Sequence, residues 1–184
     1  MNVYRIKPNS DTFERIYARV EDRDLLFFSS AQPLSAKWIP LPVLPDDRLL
    51  ENVMDEPVPI NGDFPSLYGP TPVFSERAWE SLYSLVNGSV EALPLIYPSG
   101  ETYFAINVLD VVDCLDLTKT KLTRNDVTGR VSSIQEYHFR PHLLTGKHMF
   151  KLPETKALEV LVSEEFKQAV EANGLKGLIF RKRT

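Results

Sequence analysis

Two groups of side chains in this sequence could ligate a metal ion. They are three histidines and three aspartates, the latter at every third position: His138, His142, His148, Asp110, Asp113 and Asp116. If these groups converged on one point they could hold zinc or magnesium, as in a metal-dependent hydrolase. On a strand, however, His138 and His142 would lie about 13 Å apart, and Pro141 excludes the helix that would bring them together. The apolar residues between the aspartates favour a structural role, so we expect no metal and no cofactor.

Cys114 is the only cysteine, so it excludes an intrachain disulfide and leaves one candidate nucleophile. A thiol paired with a histidine could attack a carbonyl carbon. Its apolar neighbours Val112 and Leu115 instead predict burial, where a thiol is inert. The sequence contains no glycine-rich phosphate loop, nucleophile elbow or zinc-protease motif. We therefore expect no catalytic residues and no enzyme activity.

One segment is strongly acidic. Between Pro45 and Pro65 the chain has six acidic residues against one arginine, a local charge of −5. The acidic residues are Asp46, Asp47, Glu51, Asp55, Glu56 and Asp63. Such a segment can be an ordinary solvated loop. It can also be a docking surface, because its charge speeds and orients the encounter with a basic partner. These six residues are our predicted partner-binding site.

The acidic residues lie within a proline-rich segment, residues 33–72, which holds nine of the fourteen prolines. Each proline fixes its own φ and disfavours helix in the residue before it, so the segment is predicted to be extended. Trp38, Phe64 and Tyr68 are predicted to anchor it on the core. A linker would lack such anchors, and we therefore expect one domain over residues 1–184.

Two capped helices followed by strands are predicted on either side of the middle of the chain. Ser75 is typical of a helix N-cap, and Trp79, Leu82, Tyr83 and Val86 follow at the spacing of one apolar helix face. Strands at 92–97 and 102–109 come next, joined by a turn at 97–100. Further short strands are predicted at 3–6, 25–28, 134–139 and 149–152.

The second unit begins at Ser163 and repeats this pattern. Phe166, Ala169 and Val170 form the apolar face, an Asn-Gly pair follows at 173–174 as it does at 87–88, and a strand is predicted at 177–180. The sequence thus predicts an α+β fold with a mixed, mostly antiparallel sheet. Two similar capped-helix-then-strand units are expected to pack on that one sheet.

Bulk composition restricts the partners. A net charge of −4 and a single basic run, 181–183, argue against nucleic acid as a partner.

No apolar stretch approaches the roughly 20 residues of a membrane span. The N-terminus also lacks the apolar centre of a signal peptide, so we expect a cytoplasmic protein. The sequence leaves monomer and dimer open.

The order of several short motifs resembles one known family. These are Trp38 with its prolines, then the segments 63–64, 73–76, 107–116, 149–152, 160–164 and 174–180. Over roughly residues 30–181 the chain resembles the bacterial polymorphic-toxin immunity proteins of immunity family eleven, formerly a domain of unknown function. The resemblance implies a cytoplasmic protein that binds and blocks a cognate toxin. It implies no catalytic residues, and a regulatory protein-binding domain remains the other non-enzymatic interpretation.

Overall fold

The computed structural model describes residues 2–18, 31–45, 61–67, 71–155 and 159–183. These residues form an α+β structure, as predicted. Its elements in chain order are β1 Val3–Pro8, β2 Ile16–Ala18, β3 Leu41–Pro45, β4 Val73–Ser75, α1 Glu76–Val86, β5 Val90–Ile96, β6 Thr102–Val108, β7 Lys121–Arg124, β8 Val131–Glu136, β9 Met149–Phe150, β10 Leu161–Ser163, α2 Glu164–Ala172 and β11 Leu178–Lys182.

The strands form three sheets rather than the one we expected. A four-stranded antiparallel sheet has the order β11-β1-β10-β9, and a five-stranded sheet has the order β2-β3-β5-β6-β4. Strands β7 and β8 form a separate pair. Only the β3–β5 pairing is parallel, so the prediction of a mixed, mostly antiparallel arrangement is confirmed.

The N-terminal strand explains why the two predicted units do not share a sheet. β1 lies between β10 and β11, with Tyr4 paired to Val162 on one side and to Lys182 on the other. It therefore fills the space beside the strands of the second unit. The strands of the first unit instead pair through β6, which lies between β5 and β4.

Both predicted helix caps are confirmed. The Ser75 side chain accepts a hydrogen bond from the Ala78 N–H at 3.1 Å, and Ser163 accepts one from the Phe166 N–H at 3.2 Å. The glycines of the two Asn-Gly stops have positive φ, +85° at Gly88 and +60° at Gly174. Serine oxygens satisfy N–H groups that a helix start leaves free, and glycine adopts the left-handed backbone without a Cβ clash.

One part of the predicted α1 face is wrong. Ala78, Leu82 and Val86 form the fully buried stripe, with Trp79 partly buried beside it. Tyr83 is 50% exposed. The stripe shares Leu82 and Val86 with the face that the sequence suggested, but its centre is rotated by roughly 50° because Ala78 replaces Tyr83. Tyr83 therefore faces solvent.

Two hydrophobic cores lie on opposite faces of the five-stranded sheet. The first core joins both larger sheets and both helices, through residues such as Ile6, Phe74, Leu82, Ile106 and Phe166. The second core lies against alternate residues of β3, β5 and β6. A third core surrounds Cys114 and Phe150. The middle strands of the five-stranded sheet are thus apolar on both faces.

The described part of the proline-rich segment has a strand at Leu41–Pro45, a 3-10 turn at Ser35–Lys37 and a bend at residues 63–64. It contributes β3, a strand with Pro42 and Pro45. Leu41 and Pro42 pair with β5, whereas Val43–Pro45 pair with β2, so the prolines leave few ladder bonds unmade. Phe64 is 1% exposed against Phe74, and the Trp38 indole donates to the Pro94 carbonyl at 2.9 Å. Tyr68 and the strand predicted at 25–28 lie outside the described residues.

Candidate functional site

The three histidines do not meet. His138 Nε2 lies 2.9 Å from Glu136 Oε1, and His148 Nδ1 lies 3.0 Å from the Ser163 hydroxyl in the four-stranded sheet. His142 is exposed in a short 3-10 turn at Pro141–Leu143. Each ring therefore sits in its own local environment. This separation removes the imidazole part of the metal site considered from the sequence.

The three aspartates are held apart in the same way. Residues 110–116 are not helical, since Val111 bridges to Lys151 and Leu115 to Phe139. Each aspartate has a different neighbour. Asp110 lies 2.9 Å from the Lys147 ammonium and Asp113 lies 3.1 Å from the Arg140 guanidinium. Asp116 accepts a hydrogen bond from the Thr118 hydroxyl at 2.6 Å. Across the described ranges, no three His, Cys, Asp or Glu side chains are grouped so that they could hold a metal ion. The geometry that a metal-dependent hydrolase requires is thus missing from this part of the chain.

Cys114 is fully buried in the third core, as its neighbours predicted. Burial raises the pKa of its thiol to about 12. At neutral pH the sulfur is therefore protonated and enclosed by apolar side chains. A thiol in this state is a poor nucleophile.

Asp63 is the only predicted partner-binding residue that the structure describes. Asp46, Asp47, Glu51, Asp55 and Glu56 lie outside the described residues. Asp63 is 8% exposed. Its carboxylate accepts hydrogen bonds from the Ser75 hydroxyl at 3.2 Å, from the Lys176 N–H at 2.8 Å and from the Arg77 guanidinium at 3.1 Å.

These bonds connect parts of the chain that are far apart in sequence. Asp63 joins the start of α1 to the loop between α2 and β11, where its N–H also donates to the Lys176 carbonyl at 2.8 Å. Arg77 continues the connection by donating to the Asn173 carbonyl at 2.6 Å. The Asp63 carboxylate is therefore a structural clamp in the described part of the chain.

The five-stranded sheet and α1 carry a partly exposed apolar surface, which we call the apolar face. Its exposed residues are Leu44, Tyr83, Pro94 and Ile96, and its partly buried residues are Pro42, Trp79 and Phe104. On β3 and β5, Leu41, Val43, Leu93 and Leu95 are buried in the second core. Because side chains alternate along a strand, the residues between them point to the opposite side. Ile96 is 54% exposed and Leu44 39% exposed.

Strand register and ring contacts link these residues into one surface. Ile96 lies opposite Pro42 on β3, and Pro94 lies opposite Phe104 on β6. The Trp79 ring contacts the rings of Phe104 and Tyr83, with centroids 6.0 and 5.3 Å apart. The apolar face thus runs from α1 across three strands.

The apolar face is open because α1 covers only one end of the sheet. Its buried stripe packs on Val90, Ile106 and Val108 in the first core. Beyond Pro94 the strands continue to Ile96 and Thr102, which are paired, and on that side Ile96 is left more than half exposed. This surface was not predictable from the sequence, because β5 has apolar residues on both sides and its pattern does not indicate which side another element covers.

A hollow of about 350 Å³ adjoins the apolar face at Leu44. Its other lining residues are Tyr17, Pro45, Tyr97, Pro98 and Ser99. The Tyr97 ring packs against Tyr103 at 5.3 Å, and its hydroxyl donates to Glu14. Burial, together with the Glu14 carboxylate, raises the pKa of Tyr97, so the hydroxyl stays protonated. The hollow is lined by rings and prolines without a charged side chain, which suits an apolar group.

The sequence around the apolar face is mostly acidic, with Arg77 at its edge on α1. Residues 78–118 contain six acidic residues and no Lys, Arg or His. Over a wider range, residues 33–118 have 13 acidic residues against three Lys or Arg, whereas residues 119–184 have 13 Lys or Arg against seven acidic residues. A chain of net charge −4 thus carries a negative region that includes most of the five-stranded sheet and a positive C-terminal region.

The basic run 181–183 has a partly structural role. Arg181 and Lys182 are exposed at the end of β11, as expected of a solubilising strand end. Arg183 instead turns inward, lying over the Tyr137 ring at 5.2 Å and 3.7 Å from the buried Glu159 carboxylate. One of the three positive charges of the run is therefore used inside the molecule.

None of the described helices is long and apolar enough to cross a membrane.

Comparison with known proteins finds a similarity in the second half of the chain. Residues 95–184 match the model of the immunity protein family Imm11. No curated protein matches the chain. The match confirms the resemblance drawn from the motifs at 107–116, 149–152, 160–164 and 174–180, and it includes Ile96 and Phe104 of the apolar face. Residues 95–184 are thus similar to the immunity protein family Imm11, and this similarity covers just under half of the chain.

Proposed function

We propose that this chain is a non-catalytic protein that neutralises a cognate bacterial toxin by binding directly to it. The observation that carries the proposal is the immunity-family match over residues 95–184. In this proposal the protein acts in the cytoplasm, where it protects the producing cell and its siblings. Inhibition then depends on the affinity and lifetime of the complex rather than on turnover.

The state of the reactive side chains supports binding over chemistry. The six candidate metal ligands are engaged in separate local contacts. The single thiol is buried, with a pKa raised to about 12. A surface of exposed apolar side chains, by contrast, is the usual property of a protein-binding site.

The acidic residues 46, 47, 51, 55 and 56 form the second part of the proposal. Their negative charge would accelerate the encounter with a toxin that carries a basic surface, because long-range attraction raises the association rate. Asp63 belongs to the same acidic run in sequence. Because its carboxylate is occupied inside the chain, its contribution to binding is to position α1 and the loop after α2.

Co-expression with the toxin encoded by the neighbouring gene tests the main proposal. The chain should restore growth, and the two proteins should purify together as one complex. Absence of both rescue and complex would refute the proposal. A complex without rescue would favour the regulatory protein-binding interpretation instead.

The role of the acidic residues has its own test. Asp46→Lys, Asp47→Lys, Asp55→Lys and Glu56→Lys, combined in one variant, should slow association with the toxin at least about tenfold at low salt. Asp126→Lys is the single-site control, because Asp126 is exposed in the turn between β7 and β8. An unchanged association rate in the variant with four substitutions would show that these residues do not belong to the binding site. The main proposal would not be affected.

A further inference from the structure

We infer that the apolar face is the surface that docks the toxin, and that the matching toxin surface presents apolar side chains bordered by lysine or arginine. This inference rests on the proposed toxin-binding function and specifies where and with what chemistry binding occurs. Two independent observations carry it. One is the uncovered apolar area, and the other is the distribution of charge around it.

The apolar area has the composition of an interface centre. Trp79, Tyr83 and Phe104 form a continuous row of aromatic rings, and Ile96 and Leu44 extend it across the sheet. Aromatic side chains bring a large contact area at a small cost in conformational entropy, and they dominate binding energy at protein interfaces. The hollow beside Leu44 adds a recess of about 350 Å³, into which one partner side chain can insert.

The charge around the apolar face identifies the kind of partner. Glu80 on α1 and Glu101 in the β5–β6 turn are exposed, and within residues 78–118 there is no Lys, Arg or His, although Arg77 lies one helical turn before Glu80. An acidic or neutral partner would leave these carboxylates without compensation, whereas a basic rim would pair with them. A partner with apolar residues inside a ring of lysine or arginine therefore complements the surface in both respects.

A second copy of this chain is the competing occupant. At the tip of the β7–β8 hairpin Val127 is 93% exposed, and Arg124 and Arg130 flank it. The turn is fixed because the Asn125 side chain accepts hydrogen bonds from the N–H groups of Val127 and Thr128 at 3.1 and 2.8 Å. The tip therefore presents an apolar side chain bordered by arginines, which is a small version of the surface inferred for the toxin. The experiment must therefore separate the two occupants.

Single substitutions of exposed residues make the test. Ile96→Arg on β5 and Tyr83→Arg on α1 should each weaken the complex with the neighbouring-gene toxin about thirtyfold or more, as loss of an interface hot spot does. Val127→Arg is the matched control, because it places the same side chain at an even more exposed apolar position. It should change the dissociation constant less than about threefold. Both face variants should keep the urea unfolding midpoint of the wild type.

Ile96→Glu separates the two parts of the inference. It removes the apolar contact and adds a negative charge, so it should raise the dissociation rate while association at low salt stays as fast as in the wild type or becomes faster. Ile96→Arg should also slow association at low salt.

Each outcome decides something different. If the wild type forms the complex and both face variants bind equally well, the apolar face is not the docking surface, although the proposed function stands. If the wild type neither binds the toxin nor rescues growth, the proposed function fails and this inference fails with it. If light scattering shows a wild-type dimer that both Ile96→Arg and Val127→Arg dissociate, a second copy occupies the face and the inference is overturned.

Discussion

Replacement of Asp63 by alanine removes the acceptor of four hydrogen bonds that hold three parts of the chain together. Two come from the Arg77 guanidinium, one from the Ser75 hydroxyl and one from the Lys176 N–H. The two ends of this network differ in their exposure. The Asp63 side chain is 11% exposed, whereas the Arg77 side chain is 58% exposed and can return to water when its partner is lost.

The expected loss in free energy of unfolding is the sum of the contributions of the separate bonds. The Ser75 and Lys176 bonds to an ionised, nearly buried acceptor contribute about 1.5 kcal/mol each. The Arg77 pair contributes about 0.5 kcal/mol because it is largely exposed. Asp63→Ala should therefore lower the free energy of unfolding by about 3.5 kcal/mol, and Asp63→Asn, which keeps one acceptor oxygen, by about 1.5 kcal/mol. With a denaturant slope of about 2.5 kcal/mol/M, the alanine variant shifts the urea midpoint by about 1.4 M.

Urea unfolding followed by circular dichroism at pH 7 measures these shifts. Asp126→Ala is the matched control in an exposed turn, and it should stay within about 0.5 kcal/mol of the wild type. An Asp63→Ala midpoint equal to that of the control would refute the structural clamp. If Asp63→Asn kept full stability but abolished the toxin complex, Asp63 would contact the partner directly instead.

Three further predictions concern local chemistry. The Cys114 thiol should react with a disulfide reagent at pH 8 only as fast as the protein unfolds, because burial raises its pKa to about 12, and reaction at the rate of a free thiol would contradict this. Ser163→Ala and Ser75→Ala should each cost about 2 kcal/mol or more in urea unfolding, since each hydroxyl makes a second hydrogen bond besides its cap, Ser163 with the His148 ring and Ser75 with the Asp63 carboxylate. A loss below about 1 kcal/mol in either variant would count against that reasoning. Burial raises the pKa of Glu91, but hydrogen bonds from the 34–35 backbone and the Asn107 amide outweigh it and lower that pKa below 4.5. The stability from these bonds is present above pH 4.5 and is lost as pH falls through the lowered pKa. Glu91→Gln should therefore reduce the fall of the urea midpoint with decreasing pH. A midpoint that falls with pH as in the wild type would show that Glu91 is not the group responsible.

Local signals in the sequence predicted much of the structure correctly. Ser75 and Ser163 cap their helices, and the 97–100 turn forms with the Gly100 N–H donating to the Tyr97 carbonyl at 3.1 Å. Caps and tight turns depend on residues a few positions apart, so their chemistry can be read from the sequence. The strand predicted at 134–139 was placed three residues too late, because its pairing with β7 begins at Val131.

Features set by distant parts of the chain were not predictable in this way. The insertion of β1 between β10 and β11 joins residues more than 150 positions apart, and no local pattern encodes it. The exposure of Tyr83 depends on how α1 is rotated against the sheet. The apolar face depends on which side of β5 another element covers. In both cases the apolar residue is visible in the sequence, but its neighbour is determined only by the tertiary fold.

The boundary of the family match does not coincide with a boundary in the fold, and this leads to a final prediction. Residues 95–184 alone would lack β1, which is the strand that pairs with both β10 and β11. They would also lack eight of the sixteen buried residues of the first core. This fragment should therefore show no cooperative unfolding transition, whereas the full chain should unfold cooperatively in the same urea titration. Mixing in a fragment of residues 1–94 should restore part of the transition, because it supplies β1 and α1. A fragment 95–184 that unfolds cooperatively near the midpoint of the full chain would show that the matched region is an independent domain.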